Sequence, residues 1–233
     1  MHFSGEVVNL KDVWVAYSGS DRPAMRNINL TVPLGKLVLI TGPNGAGKTT
    51  LIETCLGLLK PYRGSAYLFG VDTRSWRIRH ARRMCGFVPQ DFMKPPFEAY
   101  TVRHVIRLGF APYKSIFESL TEDEDRRIRW VSELLEIEDL LDRPIGTLSG
   151  GQQQRAVIAR ALVRKPKALF LDEPFSSLDR EGRRLISRVV REYVSAEDAS
   201  VIIVSHDVNP IIDYADIVVR MENGRIVSGE GYA

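Results

Sequence analysis

The sequence predicts an α/β fold: a mainly parallel sheet flanked by helices, with an N-terminal antiparallel β subdomain and an inserted helical subdomain. Three observations predict it. Leu37-Val38-Leu39-Ile40, Ala168-Leu169-Phe170-Leu171 and Val201-Ile202-Ile203-Val204 are continuous apolar runs of strand length. Strands covered on both faces by helices read this way. In Asn27-Ile28-Asn29-Leu30-Thr31-Val32 polar and apolar residues alternate, as in a strand with one wet face. From about Asp91 to Gly150 the strand signal fades and helical spacing takes over.

The elements justify themselves in chain order. The first forty residues read as antiparallel strands, and after Gly35 the buried parallel strands begin. Pro95-Pro96 interrupts the chain early in the middle stretch. Thr121 with Glu124 offers a capping box, and Ile128, Val131, Leu134 and Leu135 form an apolar stripe beyond it. Leu185, Ile186, Val189, Val190 and Tyr193 recur at helical spacing behind a charged face. Asn223-Gly224, between Ile217-Val219 and Ile226-Val227, is a hairpin signal. The chain therefore reads as one domain over 1–233, with 1–90 and 151–233 as the α/β core and 91–150 as the inserted helical lobe.

Composition bounds the function classes. A chain of 233 residues can bury one sizeable core. No stretch approaches the ~20 apolar residues that a membrane-spanning helix requires. The opening Met1-His2-Phe3-Ser4 lacks the basic-then-apolar pattern of a signal peptide. Basic residues number 32 against 29 acidic ones, a balance that gives no argument for a nucleic-acid partner. Cys55 and Cys85 lack metal-ligand spacing and read as buried free thiols. The one local basic cluster, Arg74 to Arg83, reads as a solvated helix face, with anionic membrane lipid as the sharper alternative.

The strongest chemical signal is Gly42-Pro43-Asn44-Gly45-Ala46-Gly47-Lys48-Thr49, which fits G-x-x-x-x-G-K-[ST] between a strand and a helix that Thr50 continues. Such a loop wraps backbone N–H groups around a phosphate chain at the positive end of a helix. Lys48 can neutralise the β- and γ-phosphates of a bound ATP, and Thr49 can place its hydroxyl on Mg²⁺. This is the signature of a P-loop NTPase core.

The second half of the site is Asp172-Glu173, two carboxylates closing an apolar strand at the end where open α/β sheets bind ligands. Consecutive strand residues point opposite ways, so the two acids divide the work. Asp172 is expected in the Mg²⁺ shell, and Glu173 is expected to polarise the attacking water. Ser149 reads as an N-cap ahead of a helix from Gly150 to Arg164, a second anion-binding helix end.

Leu148-Ser149-Gly150-Gly151-Gln152, with the phosphate loop and the paired acids, resembles the ATP-binding cassette family over nearly the whole chain. The resemblance implies an ATPase whose Ser149, Gly150, Gly151 and Gln152 bind the γ-phosphate held by a second subunit. Two ATPs are then sandwiched in a head-to-tail dimer, formed with itself or with another cassette. Further roles follow from the resemblance alone. Tyr17 would stack on adenine, and Gln90 would reach Mg²⁺ and the water while joining core to lobe. Asp179 would communicate across the dimer, although a helix cap looks alike, and His206 would touch the γ-phosphate. A chain without a membrane span implies separate transmembrane permease subunits, and in the full system an extracytoplasmic substrate-binding protein. Its place would be peripheral, on the cytoplasmic side of the cell membrane. Thr101 to Gly109 and Arg143 to Arg155 look like importers of metal ions, zinc or manganese first, then iron chelates. An exporter subunit or a soluble non-transport ATPase is the alternative. Phe92, Phe97 and Tyr100 either pack the helical lobe or form a groove that receives a helix of a membrane subunit.

Overall fold

The apolar runs do become buried parallel strands, and each divides its side chains between two cores. The computed structural model describes residues 5–19, 22–90, 99–114 and 118–230. Strands β1 (Glu6–Val15), β2 (Met25–Pro33), β4 (Arg63–Leu68) and β5 (Val71–Asp72) form an antiparallel sheet in the order β2-β1-β4-β5. A second sheet holds β3 (Leu37–Thr41), β6 (Cys85–Val88), β7 (Ala168–Asp172), β8 (Ser200–Ser205), β9 (Ile217–Glu222) and β10 (Arg225–Glu230). Its order is β10-β9-β3-β8-β7-β6, parallel from β9 to β6, with β10 antiparallel at the edge. The long connections between parallel strands carry helices α1 (Lys48–Cys55), α2 (Ile78–Arg83), α3 (Val102–Arg107), α4 (Glu122–Leu134), α5 (Gly150–Leu162) and α6 (Arg180–Glu197).

Strand alternation sorts the cores. Leu37, Leu39, Leu169, Leu171, Val201 and Ile203 face one way, into a core shared with α3 to α6. Val38, Ile40, Phe170, Ile202 and Val204 face the other way, onto α1 and the antiparallel sheet. A sheet buried on both faces needs no polar alternation, which is why these runs read as continuous. In β2 the alternation holds: Ile28, Leu30 and Val32 are buried while Asn27 and Asn29 are exposed. The five apolar positions expected on one helix face are all buried in α6.

The helical stretch is built from short pieces. Thr121 and Glu124 form the reciprocal capping box at the start of α4, and Ile128, Val131 and Leu135 are fully buried. At the other end of α4, Arg155 donates to the carbonyls of Leu135 and Glu136, placing a cation at the negative helix terminus. Helix α5 packs against α3, α4 and strand β6, so it ties the helical stretch to the sheet. Pro95-Pro96, Phe92 and Phe97 lie outside the described residues; Tyr100 is half exposed and stacks on His104 at 5.1 Å. In the basic stretch, Ile78 and Ala81 are buried, Arg82 binds the carbonyls of Leu56 and Gly57, and Arg79, His80 and Arg83 face solvent. Both cysteines are buried and free, and burial pushes each thiol up to about 12. Asn223 and Gly224 take positive φ and close the β9–β10 hairpin.

Candidate nucleotide site

The chain leaves β3 at its carboxyl end and turns at Gly42 (φ 151°), where a Cβ would come within 2.1 Å of the Met221 carbonyl oxygen. Only glycine lets the loop pass so close to β9. Ala46 N–H donates to the Pro43 carbonyl at 3.2 Å, and Gly224 N–H donates to the Ala46 carbonyl at 3.0 Å. The hairpin thus braces the loop from behind. In front, Pro43, Asn44 and Gly45 are exposed, and Gly45 faces open space. Gly47 caps α1 without any side-chain bond, which leaves the first-turn amides for an anion. Lys48 is 6% exposed, with Nζ at 2.9 Å from the Gly42 carbonyl and 3.2 Å from that of Pro43. Thr50 is buried, and its Oγ1 lies 2.9 Å from the hydroxyl of Tyr17. That bond lays the half-exposed Tyr17 ring beside the loop rather than into the β subdomain.

Asp172 ends β7, but Glu173 lies just past the strand with φ 49°. Strand alternation, expected to part the two carboxylates, does not set the direction of Glu173, because the strand ends at Asp172 and the Glu173 backbone is left-handed. Such a conformation costs on the order of 1 kcal/mol or more for a side-chain-bearing residue and needs surrounding support. Support is present. Glu173 N–H donates to the Val204 carbonyl, and its carboxylate accepts from His206 N–H and lies 3.3 Å from Ser205 Oγ and 2.8 Å from His206 Nδ1. Glu173 Oε1 also stands 3.5 Å from Lys48 Nζ. The expected phosphate-facing His206 is therefore held on Glu173, with its ring about half exposed.

Ser205 is the site residue that sequence reasoning missed. It is fully buried at the end of β8, and a polar residue closing an apolar run just before His206 was the available signal. Gln90 lies two residues beyond β6, whose last residue, Val88, pairs with Leu171. It is exposed and follows the carboxyl end of β6, the parallel neighbour of the strand that carries the acids.

Asp172 is 1% exposed, and among the described residues its Oδ1 has no hydrogen-bond partner. Burial raises its pKa from 3.8 to about 6; the Thr49 hydroxyl and the Lys48 charge pull it down, while the Glu173 charge adds to the rise. An orphaned buried carboxylate oxygen beside a threonine hydroxyl is a donor set that fits a hard divalent cation. The raised value has a sign. Between about pH 4 and 6 the folded protein keeps a proton that the unfolded chain has released, so stability falls as pH rises through that window. The cost at neutral pH is on the order of 3 kcal/mol. Without divalent cation, Asp172→Asn should melt above the wild type at pH 7.5 and level with it at pH 4. A gap in melting temperature that is the same at both pH values would refute this account.

A second cluster sits apart from the phosphate loop. Ser149 Oγ accepts from Gln152 N–H at 3.3 Å while Gln152 Oε1 accepts from Ser149 N–H at 3.0 Å, a capping box at the head of α5. Asp179 caps α6 through Gly182 N–H at 2.8 Å, as the helix-cap alternative anticipated. Ser149, Gly150, Gly151, Gln152 and Asp179 line one concavity of about 970 Å³, joined by Arg155, Arg184 and Arg188. No residue of the 42–50 loop and helix start lines it, nor do Asp172, Glu173 or His206. The sequence-predicted residues thus fall into two groups that the single chain does not bring together.

Residues 25–176 match the ABC transporter family. The chain is 34% identical over 221 residues to the high-affinity zinc uptake system ATP-binding protein ZnuC of Bacillus subtilis (strain 168), covering 94% of this chain and 92% of that one. It is 35% identical over 221 residues to the hemin import ATP-binding protein HmuV of Escherichia coli O157:H7, covering 92% and 83%. The dimeric structure of MJ0796, a bacterial ABC transporter cassette, superposes with a TM-score of 0.84 at 27% identity, covering 97% of this chain and 99% of that one. With its P-loop core, its paired acids and the Ser149 helix all in place, the chain belongs to the ABC transporter family, as an ATP-binding subunit that hydrolyses ATP.

Proposed function

We propose that this chain powers an importer of metal ions, zinc or manganese before iron chelates, as one half of a head-to-tail cassette dimer beneath transmembrane permease subunits. The observation that carries the dimer is the separation of the two residue groups. The loop at Lys48 and the concavity at Ser149 both suit anions but share no lining residue, so a second chain related by a twofold axis can complete each site. The solved relative named as dimeric supports that assembly. The zinc and hemin relatives support the cargo. Among the described residues no helix is long and apolar enough to cross a membrane, so the permease would be a separate partner. The chain would sit peripherally on the cytoplasmic side, with an extracytoplasmic binding protein delivering cargo.

In this reading residues 1–90 and 151–233 form the ATP-binding core and 91–150 the inserted lobe. Tyr17, poised on Thr50, stacks on adenine. The amides from Gly45 to Thr50 and the Lys48 ammonium hold the phosphates, and the partner chain's counterpart of the 149–152 segment closes on the γ-phosphate. Thr49, Asp172 and Gln90 would hold Mg²⁺, which when bound neutralises charge building on the phosphates. Glu173 orients the attacking water and accepts its proton at the carboxylate, while His206 and Ser205 hold that carboxylate in place. Asp179 lies where the partner chain's nucleotide would meet the concavity.

The cargo is tested by uptake. Cells carrying the chain with its permease subunits should accumulate radioactive zinc or manganese, and a Lys48→Ala version should not. Loss of uptake for neither metal, with loss of iron-chelate uptake instead, would move the cargo to the second class. Export of the metal, or no transport defect at all, would sink the importer reading.

A further inference from the structure

One residue outside both groups links them through its side chain. Arg183 lies in the first turn of α6, four residues past the Asp179 cap. Its Nε donates to the Leu178 carbonyl at 3.1 Å, and its Nη1 pairs with the Asp207 carboxylate. Leu178 ends the turn that follows β7 and lines the Ser149 concavity. Asp207 lies in the loop that follows β8, locked to Ser205: Asp207 N–H donates to Ser205 Oγ at 3.0 Å, and that hydroxyl lies 2.7 Å from the Asp207 carbonyl. Ser205 and His206 in turn grip Glu173. A planar guanidinium with two donors on two acceptors fixes an angle as well as a distance, which a lysine cannot do.

We infer that Arg183 is a positioning residue for hydrolysis, clamping the loop behind His206 to the turn that carries Asp179. Through Asp207 and Ser205 it sets the carboxylate of Glu173; through Leu178 it sets the wall of the concavity. Closure of a partner on that wall is thereby tied to the placement of Glu173. The inference rests on the assignment of Glu173 under the proposed function. It is distinct from a fold-stabilising role, because a partly exposed ion pair contributes little to folding while still fixing geometry.

The test is steady-state phosphate release by the purified full chain, with thermal melts alongside. Arg183→Met and Asp207→Asn should each lower kcat about tenfold, with KM for ATP within about twofold and melting shifted by only about 2 °C. The double variant should be no worse than either single one, since both break one linkage. Arg183→Lys, which keeps the charge opposite Asp207, should recover part of the rate. Asp207→Asn preserves shape and remains decisive if Arg183→Met fails to fold. Wild-type kcat in the single variants, or losses that multiply in the double, overturns the clamp. So does a fall in activity matched by a lower folded fraction with unchanged kcat per folded chain. Glu173→Gln serves as the control: if it is silent while the Arg183 and Asp207 variants are normal, only the clamp fails. If Glu173→Gln itself turns over normally, the reading beneath it fails.

Discussion

Glu173→Gln should reduce ATP turnover by about two to four orders of magnitude while leaving ATP binding intact. The carboxylate is the one acid in the site held from several sides at once, by His206, Ser205 and the backbone N–H of His206. An amide of the same shape keeps most of that frame and cannot take the water's proton. The structure adds a second, less obvious expectation. Glu173 stands 3.5 Å from Lys48 Nζ, so it competes with incoming phosphates for the same buried ammonium. Removing its charge should tighten ATP binding, since the ammonium no longer has to leave a carboxylate partner to meet the phosphates. Phosphate release and calorimetric titration of ATP measure the two effects separately. Turnover at the wild-type rate would remove Glu173 from its role, and weaker ATP binding would show that the Lys48 contact aids rather than opposes the nucleotide.

Which parts of this site were legible in the sequence follows from the range of the interactions involved. The phosphate loop was readable because strand, glycines, lysine and helix are contiguous, and each has a local physical reason. The capping boxes at Thr121 and Ser149 were readable for the same reason: both partners lie within three residues. The buried strands announced themselves by composition, because a sheet covered on both faces tolerates no polar side chains in between. What escaped is set by pairing across the sheet. The left-handed turn at Glu173 has no local signal, since glutamate has no preference for that conformation; it is fixed by its bonds to Val204 and to His206, about thirty positions away. Ser205 and Arg183 were passed over because their partners come from different crossovers, which adjoin only once β7 and β8 lie side by side. The concavity at Ser149 belongs to the same class, as its walls come from α5, α6 and the segment around Tyr214.

That concavity gives the other large effect. In a Glu173→Gln background, where ATP persists, ATP should shift the chain from monomer to dimer, and Ser149→Arg should abolish the shift. Two consequences of replacing Ser149 must be kept apart. Both alanine and arginine remove the cap on Gln152 N–H, which costs about 1 kcal/mol of helix stability. Arginine in addition thrusts a long cationic side chain into the space where a partner's γ-phosphate would lie. Ser149→Ala isolates the first consequence: it should melt slightly earlier than the parent yet still dimerise with ATP. Sedimentation velocity with and without nucleotide resolves the three proteins. If Ser149→Ala loses the dimer as fully as Ser149→Arg, the cap itself is what the partner reads. A dimer that forms without ATP, indifferent to the arginine, would mean that the concavity is not the place where the second chain delivers its nucleotide.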